Sequence, residues 1–456
     1  MTKTVQKSKA RDMTQGSIWK QLLLFSLPLM AGNLFQQLYN TVDSIVVGNF
    51  VGKEALAAVG SVGPVINSLI GFFMGLSTGA GVIISQYYGA KDDEDVSRAV
   101  HTALILAAVG GALMTVLGLL TAPWLLRTLN TPQDTMADSL IYLQIIYLGM
   151  APSMVFNMGS ATLRAVGDSR RPLYFLMVCC VLNIFLDLLF VLKFSMGVMG
   201  VAVATIISQL ISAVLVCVHL ARCRDSYRLE LHRLRPDPRI LRRIVHIGLP
   251  SGLQSIMYGL STLILTAAVN SFGTDTVAAW VAMGKIDTLN WMTLNAMGIS
   301  LMTFAGQNYG ARKLDRVRGS LRLSMILGFA MAAVVCALFV TCGRYMLMLF
   351  TDDAAVLEIA VMIVLYIAPW YWLYAPIEVF SGGFRGLGDT LIPTIITAVG
   401  VCLVRVVWVY TVVPVWHDIQ AVCISYPISW AITSAVFFVY YFIVRKRKLS
   451  DTPALQ

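Results

Sequence analysis

The chain is short of charge. Asp, Glu, Lys and Arg make up 13% of its 456 residues, where a soluble domain carries about a quarter. That excludes an ordinary water-facing surface over most of its length. There is no GxxxxGK[ST] phosphate loop, so no ATP-driven step is expected. There is no CxxC pair either. The eight cysteines, at 179, 180, 217, 223, 336, 342, 402 and 423, mostly fall inside apolar runs and read as small buried hydrophobes, not as disulfides or metal ligands. The ten-residue alternation of a membrane β-barrel is also missing. Met1 to Thr14 is polar and lacks an apolar core, so a cleavable signal peptide is not expected.

What fills the space is apolar. Hydrophobic residues reach 57%, in runs of about 20 residues, the length that crosses a bilayer. Twelve spans are expected, near 19–48, 55–83, 96–122, 137–163, 173–194, 199–221, 243–271, 276–305, 317–341, 355–383, 392–413 and 420–444. The fold class is all-α integral membrane.

The chain is also a duplication. Leu163-Arg164-Ala165-Val166-Gly167-Asp168-Ser169-Arg170-Arg171-Pro172 returns as Phe384-Arg385-Gly386-Leu387-Gly388-Asp389-Thr390-Leu391-Ile392-Pro393, an offset of 221. Gln86-Tyr87-Tyr88-Gly89-Ala90 and Gln307-Asn308-Tyr309-Gly310-Ala311 keep it, and Leu27-Pro28 and Leu249-Pro250 sit at 222. Two six-helix lobes follow, residues 1–221 and 243–456, joined by a basic connector at 222–242. Six spans per copy is an even number, so both copies insert with the same polarity, as a parallel repeat.

Placing both termini in the cytoplasm puts 28 of the 34 Lys and Arg residues on that side and four outside. This positive-inside bias fixes the expected orientation in a cell membrane. The net charge of +10 thus belongs to loops, and nucleic acid is not an expected partner. The acidic run Asp92-Asp93-Glu94-Asp95 reads as a solvated loop.

Charges inside spans are costly and mark function by default. Four acids lie there: Asp43, Asp187, Asp287 and Glu378. Gly32, Gln36, Tyr39 and Asp43 share one helix face, and Asn183 and Asp187 are spaced i, i+4 on another. Asn157 and Thr205 add an amide and a hydroxyl. Oxygens of this kind suit a hard cation, and neighbouring carboxylates suit a proton. Interhelical polar bonding is the other use of such residues. At the 221 offset, Asn157 matches Glu378, while Asn183 and Asp187 match Val404 and Trp408. The second half has Lys285, Asp287 and Arg405 instead. Glu378 could pair with either base. The aromatic stretch Pro369-Trp370-Tyr371-Trp372-Leu373-Tyr374 could wall a cavity for a flat cation.

These motifs resemble the MATE (multidrug and toxic compound extrusion) family of transporters. The resemblance runs through Leu27-Pro28, Asp43-Ser44-Ile45-Val46-Val47-Gly48, Gln86 to Ala90, Arg164 to Asp168, and Asn183 with Asp187, and covers nearly the whole chain. It implies twelve helices in two lobes, and export of amphipathic, often cationic compounds against Na⁺ or H⁺. It implies no other cofactor and no enzyme activity. It also implies a cation-coupling site at Asp43, Asn157, Asn183, Asp187 and Thr205, the set found from the residues alone, with Na⁺ contacts at Asp43, Asn183 and Asp187. A substrate cavity is expected at Gln36, Tyr39, Tyr258, Lys285, Asp287, Tyr374, Glu378 and Arg405. One branch has a glutamate where this chain has Tyr258; the chain looks closer to prokaryotic, DinF-like members. A lipid-linked-precursor flippase of the same superfamily is the alternative. A monomer in the bilayer, handling small molecules, is expected.

Overall fold

The computed structural model describes residues 11–449, apart from 129, 130 and 132. In hydrocarbon every backbone N–H and C=O must find a partner within the protein, and a helix provides this locally. Helix 1 is Ile18–Val46, helix 2 Lys53–Ala90, helix 3 Asp93–Thr128, helix 5 Arg170–Leu188 and helix 6 Gly197–Arg222. Helix 7 is Pro238–Asn270, helix 8 Thr274–Gly310, helix 9 Leu314–Leu347 and helix 12 Ile419–Lys448. Three spans are broken. Helix 4 runs Gln133–Leu148 and Met150–Ala165, with a bend of 45° between the two parts. Helix 10 runs Ala354–Ile367, passes a 3₁₀ turn at Ala368–Trp370 containing Pro369, and continues as Tyr371–Gly386. Helix 11 is Leu391–Thr397, a π-helical turn at Ala398–Leu403, then Val404–Thr411.

Ten of these spans are long and apolar enough to cross a membrane on length and composition, and the bent helix 4 makes eleven. Helix 8 is the twelfth. Its 37 residues reach about 55 Å at 1.5 Å per residue, but Lys285, Asp287 and Asn290 lower its hydropathy.

The repeated motif closes helices 4 and 10 in the same way. Gly167 N donates to Arg164 O at 2.9 Å and Asp168 N to Leu163 O at 2.9 Å. Gly388 N and Asp389 N repeat the pair onto Arg385 O and Phe384 O at 2.8 and 2.9 Å. This helix-end pattern needs a left-handed residue, and both glycines supply one, at φ +88° and +81°. Asp168 Oδ1 then accepts from the backbone N–H of Arg170 and Arg171, both at 3.1 Å, starting helix 5.

Packing divides the chain into two units. One holds Leu27–Gly252, and the other holds Met13–Ser26 together with the chain from Leu253 onward. The boundaries thus fall inside helices 1 and 7, whereas the sequence put them at 221 and 243. Glycine contacts explain one crossing. A Cβ on Gly75 would lie 2.2 Å from Gly252 N, and one on Gly79 2.5 Å from Ile244 O. The first turns of helix 7 therefore seat directly on helix 2. In the other unit, Met13 N donates to Gln307 Oε1 at 3.0 Å, Arg316 Nη1 to Gly16 O at 2.8 Å, and Ser300 Oγ to Leu22 O at 3.0 Å.

The connector is held to helix 3. His101 Nε2 accepts from Glu230 N at 3.0 Å, and Asp237 N donates to Thr102 Oγ1 at 3.0 Å. A cavity of about 820 Å³ opens there, lined by Arg98, His101, Arg224 and Glu230 among others. The acidic run beside it is structural. Asp92 Oδ1 caps helix 3 by accepting from Asp95 N at 3.1 Å, and Glu94 and Asp95 pair with Arg98.

Candidate functional site

Each unit buries one polar cluster, and the two differ in kind. In the first unit, helix 5 turns Asn183 and Asp187 fully inward, at 0% exposure. Helix 1 brings Asp43 beside Asp187, with Tyr39 close to Thr205 and Tyr142 of helix 4 facing both carboxyls. Tyr142 was not singled out in the sequence, because no local pattern separates it from the interface tyrosines. The cluster is short of partners. Asp43 Oδ1, both Asp187 oxygens and both polar atoms of Asn183 are buried without a hydrogen bond. An unpaired buried carboxylate in a bilayer is among the costliest groups a fold can hold. Nearby, Thr205 Oγ1 donates to Val201 O at 3.0 Å, with the Tyr39 hydroxyl in hydrogen-bonding reach of it. Asn157 Nδ2 donates to Ser153 O at 2.9 Å. Gln36, on the same helix as Asp43, is exposed.

Among the described residues no base pairs with these acids, and the atoms left over are carboxylate and amide oxygens and Asn183 Nδ2. Among the described residues, no group of three or more His, Cys, Asp or Glu is placed to hold a metal. The arrangement suits a small, exchangeable cation or a proton shared between two carboxyls.

The second unit's two acids are hydrogen-bonded instead of open, while Asn290 Nδ2 and Oδ1, Arg405 Nη2 and Trp430 Nε1 are buried without a partner. Asp287 accepts from the Tyr371 hydroxyl, and from Trp291 Nε1 at 2.7 Å. Glu378 Oε1 accepts from Tyr374 Oη at 2.6 Å. Arg405 donates through Nε to Ser429 Oγ at 3.0 Å. Its guanidinium carbon lies 3.9 Å from the centre of the Tyr426 ring and 5.6 Å from that of Trp430. Tyr258 adjoins Tyr374 and Glu378. Trp291, Tyr426, Ser429 and Trp430 were not anticipated; only the i, i+4 spacing from Asp287 to Trp291 could have flagged one of them.

Three expectations are revised. Glu378 pairs with a tyrosine hydroxyl, and neither Lys285 nor Arg405 forms an ion pair with it. Lys285 is exposed on the opposite face of helix 8 from buried Asp287, as a spacing of two requires. The aromatic stretch is split by helical geometry, with Tyr371 and Tyr374 buried at 1% and Trp370 and Trp372 exposed at 43% and 46%.

The repeat register also changes. Pro172 and Pro393 are equivalent, 221 apart. The π turn at Ala398–Leu403 then inserts one residue, because its hydrogen bonds close one residue later than an α turn's. Helix 5 is regular α-helix as far as Leu188. Between that turn and the first repeat's own π turn at Leu189–Lys193, which restores 221, the offset is therefore 222, and Arg405 and Val409, not Val404 and Trp408, stand opposite Asn183 and Asp187. Burial agrees along the helix. Asn183, Asp187 and Val191 are buried, and so are Arg405, Val409 and Val413.

Twelve helices in two repeat-related units, each with a buried polar cluster, define a secondary-transporter type of membrane protein. The MatE family model matches the chain twice, at residues 28–189 and 250–411. The chain belongs to the MATE family, and is a transporter, not an enzyme. It is 28% identical over 440 residues to the "Probable multidrug resistance protein YoeA" of Bacillus subtilis, covering 95% of each chain. It is 26% identical over 392 residues to the "Probable multidrug resistance protein NorM" of Thermotoga maritima, covering 85% of this chain and 84% of that one. A solved structure described as the outward-facing conformation of a multidrug resistance MATE family transporter superposes with a TM-score of 0.90 at 25% identity, over 98% of this chain and all of that one.

Proposed function

We propose that this chain is a cation-coupled multidrug antiporter, exporting amphipathic and often cationic compounds by alternating access, with H⁺ or Na⁺ as the coupling ion. One observation carries the proposal: Asp43, Asn183 and Asp187 bury five polar atoms that have no partner. Such a group is stable only when a cation or proton occupies it, so occupancy differs in free energy between conformations that open and close it. A ligand shifts a conformational equilibrium through that difference alone. Asp43 and Asp187 hold the ion's charge, and Asn183, Asn157 and Thr205 supply neutral oxygens. Substrate cations are drawn to Glu378, near the Tyr258 and Tyr374 rings. The chain works as a monomer in the cell membrane, with both termini cytoplasmic, in keeping with the 28-to-4 distribution of basic residues. The drug-resistance names of its relatives favour export over a lipid-linked-precursor flippase.

The test is dye efflux from proteoliposomes under an imposed Na⁺ or H⁺ gradient, one at a time. One gradient drives efflux in the wild type, and Asp43→Asn abolishes the response while the protein stays monodisperse. Wild-type efflux by Asp43→Asn under that gradient would remove the assignment.

A further inference from the structure

The corrected register sets the two polar clusters side by side, position by position. Asp43 corresponds to Leu265, at the 222 offset of the Leu-Pro pair. Asn157 corresponds to Glu378 and Thr205 to Tyr426, both at 221. Asn183 and Asp187 correspond to Arg405 and Val409. The second unit lacks both carboxylates of the first, has Glu378 in place of an amide and Asp287 in place of Ile66, and has a guanidinium at the place of another amide.

That guanidinium is built in. Arg405 is 6% exposed, and Ser429 fixes its Nε. Tyr426, at the position of the hydroxyl ligand Thr205, stacks its ring face on the charge. Ring faces are partly negative and replace water around a buried cation. Its Nη2 is buried with no hydrogen-bond partner, so packing and charge hold it there, not a bonded carboxylate. Asp287 lies within electrostatic reach of it.

We propose that Arg405 is a resident cation. It occupies, in the second repeat, the position that the first repeat leaves open to an exchangeable one, and so closes the second unit to the coupling ion. One chain therefore carries one exchangeable site. A tethered charge stands where an exchangeable one would otherwise be taken up, so no ion need enter beside Asp287. This inference rests on the first-unit site being the cation site, and the two can fail separately.

The experiment counts cations bound by the full-length protein in detergent, using radioactive Na⁺ at constant pH and proton uptake on a pH electrode. Wild type and Arg405→Lys bind the same number. Arg405→Gln binds one more cation per chain, Na⁺ or H⁺, and the double variant Arg405→Gln/Asp287→Asn loses that extra one. Asp43→Asn removes the wild-type site; if wild-type binding survives it, the first-unit reading falls. The extra cation of Arg405→Gln persists in the Asp43→Asn background, which tests the present inference by itself. Equal stoichiometry in wild type and Arg405→Gln overturns it. If Arg405→Gln does not accumulate as folded protein, the double variant with Asp287→Asn decides. Recovery of monodisperse protein shows that the acid needed the tethered charge, and failure to recover assigns Arg405 to packing and overturns the proposal.

Discussion

Helix 10 crosses helix 8 at Gly382 and Gly298, so closely that a Cβ on Gly382 would lie 2.4 Å from the Gly298 carbonyl oxygen. The neighbour is backbone, which has no rotamer to give. This crossing also sets Glu378, one turn earlier on helix 10, against the same glycine of helix 8: a Cβ on Gly298 would lie 2.8 Å from Glu378 Oε2. Close glycine approach is how membrane helices gain contact in the absence of a hydrophobic drive between them.

Gly382→Ala is therefore expected to destabilise the protein by about 1–3 kcal/mol, the usual cost of overpacking. Gly284→Ala, on the open side of helix 8 where nothing lies within 4 Å, should be neutral or slightly stabilising, as Ala is the better helix former. Thermal melting followed by size-exclusion chromatography distinguishes them. Equal melting temperatures would mean that the crossing is looser than described.

Much of this was legible before the structure. The paired Pro172 and Pro393 exposed the duplication, and the spacing of Asn183 and Asp187 put both on one face. Asp43 announced itself as an acid in a helix with no base nearby. The register at Arg405 was not legible. An inserted residue in a π turn leaves no mark in composition, because it is a change in which carbonyl each N–H reaches. The cage around Arg405 was hidden too. Tyr426, Ser429 and Trp430 lie on the next helix, and only tertiary packing brings them to the guanidinium. Tyr371 and Trp370 are neighbours in one aromatic run, yet one is buried and the other exposed. Composition treats them alike, and the 3₁₀ turn at Pro369 decides which way each faces.

Glu378 gives a prediction about substrate. Its Oε1 accepts from Tyr374 Oη, and among the described residues no guanidinium or ammonium pairs with it. Glu378→Gln should weaken binding of cationic dyes by about tenfold, or ~1.4 kcal/mol, and leave neutral dyes of similar shape nearly unchanged. Fluorescence titration in detergent checks this. An equal loss for both dye classes would show that the residue acts through Tyr374 and the shape of the site, not through its charge.

His101 anchors the connector. It is 2% exposed. Its Nε2 faces the Glu230 N–H, which can only donate, so the proton sits on Nδ1 and goes to Ser97 O at 2.7 Å. His101→Phe keeps the volume and leaves the Glu230 N–H without an acceptor, a loss of about 1–3 kcal/mol. The expected effect is local: faster trypsin cleavage at Arg224, Arg228 and Arg233, with the melting temperature of the helices little changed. Unaltered cleavage would mean that the Thr102 bond to Asp237 holds the connector alone.

The last prediction moves a fixed charge from one repeat to the other. If an amide at position 183 leaves room for an exchangeable cation, and a guanidinium at the equivalent position 405 fills that room permanently, then a base at 183 should do to the first unit what Arg405 does to the second. Asn183→Lys places an ammonium beside Asp43 Oδ1 and both Asp187 oxygens, which have no partner. The new charge compensates them without any ion from solution, so the conformations no longer differ in ion occupancy. Downhill dye movement should persist, while efflux driven by the Na⁺ or H⁺ gradient disappears. Asn183→Leu is the control. It has the bulk without the charge and leaves the acids still in need of a cation, so gradient-driven efflux should be weakened but retained. Proteoliposomes loaded with a fluorescent dye, assayed with and without the gradient, read both quantities. Gradient-driven efflux surviving in Asn183→Lys would show that coupling does not depend on an exchangeable charge at Asp43 and Asp187, and would turn the search for it to Glu378 and Asp287.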